Sequence, residues 1–438
     1  MYFRQLGLGF FGYLSMTGSI AGLTLPGSLV AVAVALGFLL GAQANGDGVR
    51  HGPAFAPGSP PDPDQSVRTE RGTVPGEPRR PGGGSREILV VGAARGLPEQ
   101  AERLGLRVVE HQRLGAIGAD FYRLAVPRGG DAAQAIAALR ARFPAAGIDA
   151  NRMAQPAAGT MDSGIVPESW ARSAIGWAPA DPDCGRGVRI GMIDAAVDVS
   201  HPALAGQEIE YRSFHDPERQ PAEAVHGTAI AAMLIGHPSR EGWGGILPGA
   251  ELKAANVFEY NDEGRLVGNA VAMLRAFDWM VAEGVQVVNL SMAGQDNEAL
   301  RYVIDYARKH GLVSVAAAGN GGRAEPTYPA AYEGVIAVTA FGPGGSIYEQ
   351  ANRGPFIDFA APGVGMWTAV PHGGRVQSGT SFAVPYVTAQ IAVEVAHGTA
   401  RDADEIRRLL ETRVTDMGAP GRDDDYGWGF VAGAPSCS

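Results

Sequence analysis

The chain has 438 residues, 45% of them hydrophobic, a formal net charge of −10 and two cysteines. That length and apolar content allow two or three domains with a sizeable core. The acidic balance, with no basic cluster, argues against nucleic acid as a partner.

Residues 1–44 are strongly apolar. Leu29 to Leu40 reads as the hydrophobic region of a signal peptide, and Ala42-Gln43-Ala44 fits a cleavage site, with Arg4 alone in the charged region and Met16 as an alternative start. The same stretch is apolar enough to cross a bilayer, so a membrane anchor stays open. Residues 45–85 are rich in proline, glycine and charge, including Gly58-Ser59-Pro60-Pro61-Asp62-Pro63 and Pro81-Gly82-Gly83-Gly84-Ser85. They carry too little apolar surface to order themselves and read as a flexible linker.

From residue 86 the pattern changes. Glu87-Ile88-Leu89-Val90-Val91 predicts a strand, Leu97 to Leu104 a helix, and Arg107-Val108-Val109-Glu110 and Phe121 to Val126 two more strands. Ala135, Ile136, Leu139 and Phe143 fall at helical spacing behind a candidate N-cap, Asp131. A last strand is expected near 147. The order β-α-β-β-α-β over 86–155 is that of a small α+β, ferredoxin-like domain.

Beyond residue 165, apolar runs at 188–194, 252–257, 286–291 and 312–318 alternate with helical patterns at about 268–283 and 298–310. Met273, Phe277 and Met280 form a core stripe on the first of these helices. Continuous apolar strands alternating with helices predict an α/β unit with a mainly parallel sheet flanked by helices.

Four sequences in this unit carry chemistry. Val188 to Asp194 is a strand pattern ending in a carboxylate. His226-Gly227-Thr228 opens a run of small residues. Ala316-Ala317-Ala318-Gly319-Asn320 ends an apolar strand with a side-chain amide. Gly379-Thr380-Ser381-Phe382-Ala383-Val384-Pro385 puts a hydroxyl at a helix start, where free N–H groups and the helix dipole favour negative charge. Each alone also fits a cap or turn. Together they supply an acid, an imidazole, an amide donor and a nucleophile.

In the order Asp, His, Ser these motifs resemble the subtilisin-like (subtilase, S8) serine peptidases over residues 165–438. The resemblance implies that Ser381 attacks the scissile carbonyl, His226 takes its proton, Asp194 orients the imidazole, and Asn320 stabilises the oxyanion. It implies polypeptide substrates, with Ser291-Met292-Ala293-Gly294 as one wall of the pocket for the residue before the cut. Ala293 stands where the family has a glycine, which predicts a preference for small or medium apolar side chains. For residues 86–155 it implies a propeptide, an intramolecular inhibitor and folding aid, whose tail between Asn151 and Gly164 would occupy the cleft and be cut.

Departures from the family are visible too. Asp194 is followed by Ala195-Ala196, not by a hydroxyl residue and glycine. His201-Pro202-Ala203 lacks the aspartate that often ligates calcium there, which makes that site doubtful, and the run Asp423-Asp424-Asp425 could bind a cation but reads better as a solvated loop; no cofactor or metal is expected, with a structural calcium left open. Cys184 and Cys437 lie far apart, away from any metal-ligand neighbourhood. They are two free thiols or, in an oxidising compartment, one disulfide tying the start of the catalytic part to its tail. The whole reads as an exported endopeptidase made as a zymogen, secreted or periplasmic, or else membrane-anchored and facing outward.

Overall fold

The computed structural model describes residues 86–157, 170–176, 181–238, 242, 244–433 and 437. The expected export segment and linker, and most of the stretch between the small and large units, lie outside the described residues.

The small unit contains β1 (Glu87–Val91), α1 (Leu97–Arg103), β2 (Arg107–Leu114), β3 (Ala119–Ala125), α2 (Ala132–Arg142) and β4 (Gly147–Ala150), followed by β5 (Met153–Pro156). Its sheet has the order β2-β3-β1-β4, with each neighbouring pair antiparallel. Asp131 caps α2, its Oδ1 accepting from the N–H groups of Ala133 and Gln134. Strand side chains alternate between faces. Ile88 and Val90 of β1 therefore join Leu97, Leu124 and Leu139 in a core shared with α1 and α2. Leu89 and Val91 face the other way, with Leu114, Ile117 and Phe121, into a core formed by helices of the large unit.

The large unit begins with α3 (Trp170–Ala174), β6 (Arg189–Asp194), β7 (Ile209–Ser213), α4 (Val225–Ile235) and β8 (Glu251–Asn256). It continues through β9 (Phe258–Tyr260), β10 (Leu266–Asn269), α5 (Ala270–Ala282), β11 (Val287–Leu290), β12 (Met292–Ala293), α6 (Glu298–Lys309) and β13 (Val313–Ala317). It closes with β14 (Val335–Phe341), β15 (Phe359–Pro362), β16 (Met366–Val370), β17 (Gly373–Gln377), α7 (Thr380–Ala396), α8 (Ala403–Glu411), β18 (Val414–Thr415) and β19 (Phe430–Val431).

Nine strands form one sheet, ordered β18-β19-β15-β14-β13-β11-β6-β8-β7. All pairs are parallel except β18 with β19. This is the α/β architecture that the alternating pattern predicts. Both faces are covered. Ile190, Val287, Val315 and Val338 pack with α4 and α7 residues such as Ile230 and Phe382. Ile193, Val288, Ala316 and Ala337 pack with α5 and α6 residues such as Phe277 and Val303. Because β13, β11 and β6 are adjacent and parallel, their C-terminal ends share one edge. Asp194 ends β6, Ser291 follows β11 and Asn320 lies just past β13, so topology gathers them at the edge where open parallel sheets place ligands.

The small unit docks on α5 and α6 through pinned backbone groups. The Asp278 carboxylate accepts from the N–H groups of Gly115 (3.1 Å), Ala116 (2.9 Å) and Ile117 (2.8 Å). Asn297, the N-cap of α6, donates from Nδ2 to Ala150 O at 3.0 Å, and the Glu298 N–H donates to Asp149 at 3.2 Å. Tyr332 braces this cap: its hydroxyl accepts from Asn297 N and donates to Asn297 O. Burial pushes that phenol up, which keeps it neutral.

Candidate active site

Asp194 is fully buried at the end of β6. His226 is the second residue of α4, and Gly227 lets the helix start press against the 195–196 turn. A Cβ at Gly227 would stand 2.4 Å from Ala195 O and 2.5 Å from Ala196 O. The close approach sets His226 Nδ1 2.6 Å from Asp194 Oδ1, which also accepts the Ala195 N–H at 2.6 Å. A neutral imidazole donating from Nδ1 presents Nε2 as a base.

Ser381 is fully buried in the first turn of α7. Phe382 packs its ring 5.4 Å from the His226 ring. Ser381 Oγ and His226 Nε2 are both buried, and neither makes a hydrogen bond among the described residues. The His226–Asp194 hydrogen bond is therefore formed, and a Ser381–His226 hydrogen bond is not.

The amide site is complete. Asn320 Nδ2 donates to Ala157 O at 2.5 Å, and Ser381 N donates to the same oxygen at 3.3 Å. Asn320 Oδ1 accepts from Thr380 N at 3.0 Å and from Thr380 Oγ1 at 2.9 Å. Thr380 Oγ1 in turn accepts the Gly319 N–H at 3.1 Å. Holding the oxygen end of the amide in this way turns its N–H end toward the carbonyl.

Residues 153–157 cross this site as an extended strand. β5 pairs antiparallel with β12 on one side, Pro156 opposite Met292 and Gln155 opposite Ala293. On the other side it pairs with β10, Ala154 opposite Gly268. Ala157 N donates to Ser291 O at 3.1 Å. Gly294 exchanges two backbone hydrogen bonds with Tyr328, tying the wall to the next loop. A chain inserted between two strand edges gains main-chain hydrogen bonds whatever its side chains.

A family model of the subtilases matches residues 185–429, more than half of the chain. The chain belongs to the subtilase family. Fervidolysin from Fervidobacterium pennivorans is 31% identical over 304 residues, covering 60% of this chain and 43% of that one. The minor extracellular protease Epr of Bacillus subtilis (strain 168) is 28% identical over 253 residues, covering 56% and 38%. The chain thus spans about two fifths of the length of these two relatives. Thermitase from Thermoactinomyces vulgaris is 30% identical over 243 residues, covering 54% of this chain and 84% of that one. The crystal structure of fervidolysin, described as a keratinolytic enzyme related to subtilisin, superimposes with a TM-score of 0.66 at 23% identity, over 81% of this chain and 61% of that one, which shows the shared fold.

The structure brings Asp194, His226, Asn320 and Ser381 to one sheet edge, with Ser291, Met292 and Ala293 beside them. Gly294 lies one step further along the same wall. It joins Cys184 to Cys437 as a disulfide, Cα–Cα 4.9 Å, away from this edge. Asp423 binds local N–H groups of Ala419, Asp425 and Tyr426, so that carboxylate is occupied by its own turn.

Sequence reasoning left out the second cleft wall, Leu266–Asn269, and the role of Thr380. It bracketed the inserted strand only as a tail between 151 and 164. The Asn261-to-Gly264 turn signal ahead of Leu266 was the available clue to that wall. Ala157 had no sequence signal, because its place is set by strand register.

Proposed function

We propose that the protein is an exported serine endopeptidase made as a zymogen, which cuts its own chain between Ala157 and Ala158. The carrying observation is the Ala157 carbonyl oxygen, which accepts from both Asn320 Nδ2 and Ser381 N. A carbonyl held by two donors beside a buried serine is posed as a substrate for attack.

In the reaction, Ser381 Oγ bonds to the carbonyl carbon as His226 Nε2 takes its proton. Asp194 holds the imidazole tautomer and stabilises the imidazolium, and Asn320 with the Ser381 N–H carries the negative oxygen. His226 then gives the proton to the departing amine of residue 158. Water, deprotonated by His226, releases the acyl group from Ser381. Polypeptides in trans would occupy the slot between β10 and β12 once residues 86–157 leave. Until then these residues act as an inhibitor, since their tail fills that slot. Export is supported by the apolar run before Ala44 and by the extracellular naming of Epr. Among the described residues no helix is long and apolar enough to cross a membrane.

N-terminal sequencing of the purified mature protein tests this reading, with Ala158 as the expected first residue. A fluorophosphonate probe is expected to label Ser381 in the processed enzyme. Absence of labelling together with an uncut chain would refute it and would favour a binding module on a subtilase fold.

A further inference from the structure

We propose that the pocket receiving the side chain before the cut is closed by Ala293, Thr327 and Asn352, so that this enzyme cleaves polypeptides after alanine and other very small residues. This rests on the reading of Ala157 as the acyl residue. Ala157 is only 2% exposed, so its methyl group is already enclosed. Its N–H is bound to Ser291 O and its carbonyl to Asn320 and Ser381. These bonds fix its Cα between the β11–β12 segment and the Gly319–Asn320 turn.

Three side chains from three separate segments converge on that turn. A Cβ built on Gly319, whose φ is +91°, would meet Asn352 Nδ2 at 2.5 Å, Ala293 Cβ at 2.9 Å and Thr327 Oγ1 at 3.4 Å. These groups therefore fill the space beside Gly319, next to the wall residue Ala293. Nor can the polar ones swing aside freely. Thr327 Oγ1 donates to Ala318 O at 2.5 Å and Asn352 Nδ2 donates to the same oxygen at 3.0 Å. Asn352 Oδ1 accepts from Gly321 N at 2.9 Å and Arg323 N at 3.1 Å, and Asn352 N donates to Gly319 O. Moving either group breaks hydrogen bonds in a buried place. Asn352 also holds the turn that carries Asn320, so pocket depth and oxyanion placement share one support.

A misfitting methylene in an apolar pocket changes kcat/KM by about 10–200-fold. The test is a peptide series on the processed wild-type enzyme, with Ala-Gln-Pro before a varied residue: Ala, Gly, Ser, Leu, Phe or Arg. Alanine is expected to be cut fastest, with Leu, Phe and Arg at least ~100-fold slower. Ala293→Gly and Thr327→Gly, separately and together, are expected to raise the ratio of kcat/KM for the Leu peptide over the Ala peptide about 10-fold or more. Asn352 is left intact to preserve the turn. An enzyme that labels with a fluorophosphonate yet cuts after Leu, Phe or Arg as fast as after Ala would overturn the inference alone. A preparation that neither labels nor cuts any peptide would overturn the endopeptidase reading and the inference with it.

Discussion

Residues 87–150 and the large unit that follows them both place helices on a sheet, yet they complete their cores differently. In the large unit each central strand is covered on one face by α4 and α7 and on the other by α5 and α6. The small sheet covers one face with α1 and α2 and leaves Leu89, Val91, Leu114, Ile117 and Phe121 to the large unit. Burying one such side chain is worth about 1.5–3 kcal/mol, so separation costs the small unit a second core while the large unit keeps its central sheet. If the small unit is the proposed inhibitor, this arrangement makes it stable while docked and vulnerable once released. The polar contacts agree: Asp278 and Asn297 of the large unit hold backbone groups of the small one, which makes docking depend on its folded shape.

The largest effect that separates the two regions is expected from Ser381→Ala. Removing the nucleophile of a triad costs about 10⁶-fold in kcat, so the chain should stay uncut, with β5 still in the slot. Denaturing gels and N-terminal sequencing read this out. A chain still cut at Ala157–Ala158 would mean that another nucleophile acts, and the small unit would then be no substrate of this site.

Next in size is Cys437→Ser, which acts on the large unit only. The bridge from Cys184 spans 253 residues, and in the chain-entropy model a loop of that size contributes about 5 kcal/mol as an upper figure. The melting temperature of the large unit is expected to fall by on the order of 10 °C. Mass measurement after alkylation without reductant should show no free thiol in the wild type. Equal melting temperatures would remove the bridge from the account of what lets the large unit stand alone.

Asn320→Ala probes the point where the units meet. Loss of one oxyanion donor lowers turnover by about 10²–10³-fold, measurable as slower self-cleavage in a time course. The same substitution removes a hydrogen bond to Ala157, so cleavage should slow while the small unit remains docked through Asp278. A wild-type cleavage rate would place the oxyanion elsewhere.

These contrasts also mark what could be read before any fold was known. The parallel sheet was legible because strands buried on both faces read as continuous apolar runs, as at Val287–Leu290 and Val335–Phe341. The four motifs proposed to carry the chemistry stood out because each was read at a strand end or helix start. The helix expected from about 268 begins at Ala270, with Asn269 as N-cap, its Oδ1 accepting from the Val271 N–H. The two residues before the helix belong to β10, a strand visible only through its pairing with β5. β12 has two residues, too few for any periodicity. The convergence of Asn352 and Thr327 on Ala318 O joins loops far apart in sequence, and no local pattern encodes it.

Asp278→Ala is expected to act on docking and not on chemistry. Three N–H groups lose their acceptor, two of them in part-buried bonds, and a buried donor left unmatched costs about 1–3 kcal/mol. Cleavage of Ala157–Ala158 should proceed, while the delay before activity on an added peptide shortens by about 10-fold or more. An unchanged delay would assign retention of the small unit to its apolar face alone.

The smallest expected effect tests the departure after Asp194. Asp194 Oδ1 accepts two N–H groups, while Oδ2, equally buried, has no hydrogen bond among the described residues. A buried carboxylate oxygen without a donor is a cost that the fold carries. Ala195→Ser brings a hydroxyl to the adjacent residue, and a hydrogen bond to Oδ2 would contribute about 1 kcal/mol. That corresponds to a rise of about 2–4 °C in the melting temperature. The space is narrow, since Ala195 O already lies against Gly227. A fall in melting temperature would therefore mean that the serine oxygen overpacks the turn, and that Ala195 is retained because the tight seat of α4 leaves room for a methyl group and no more.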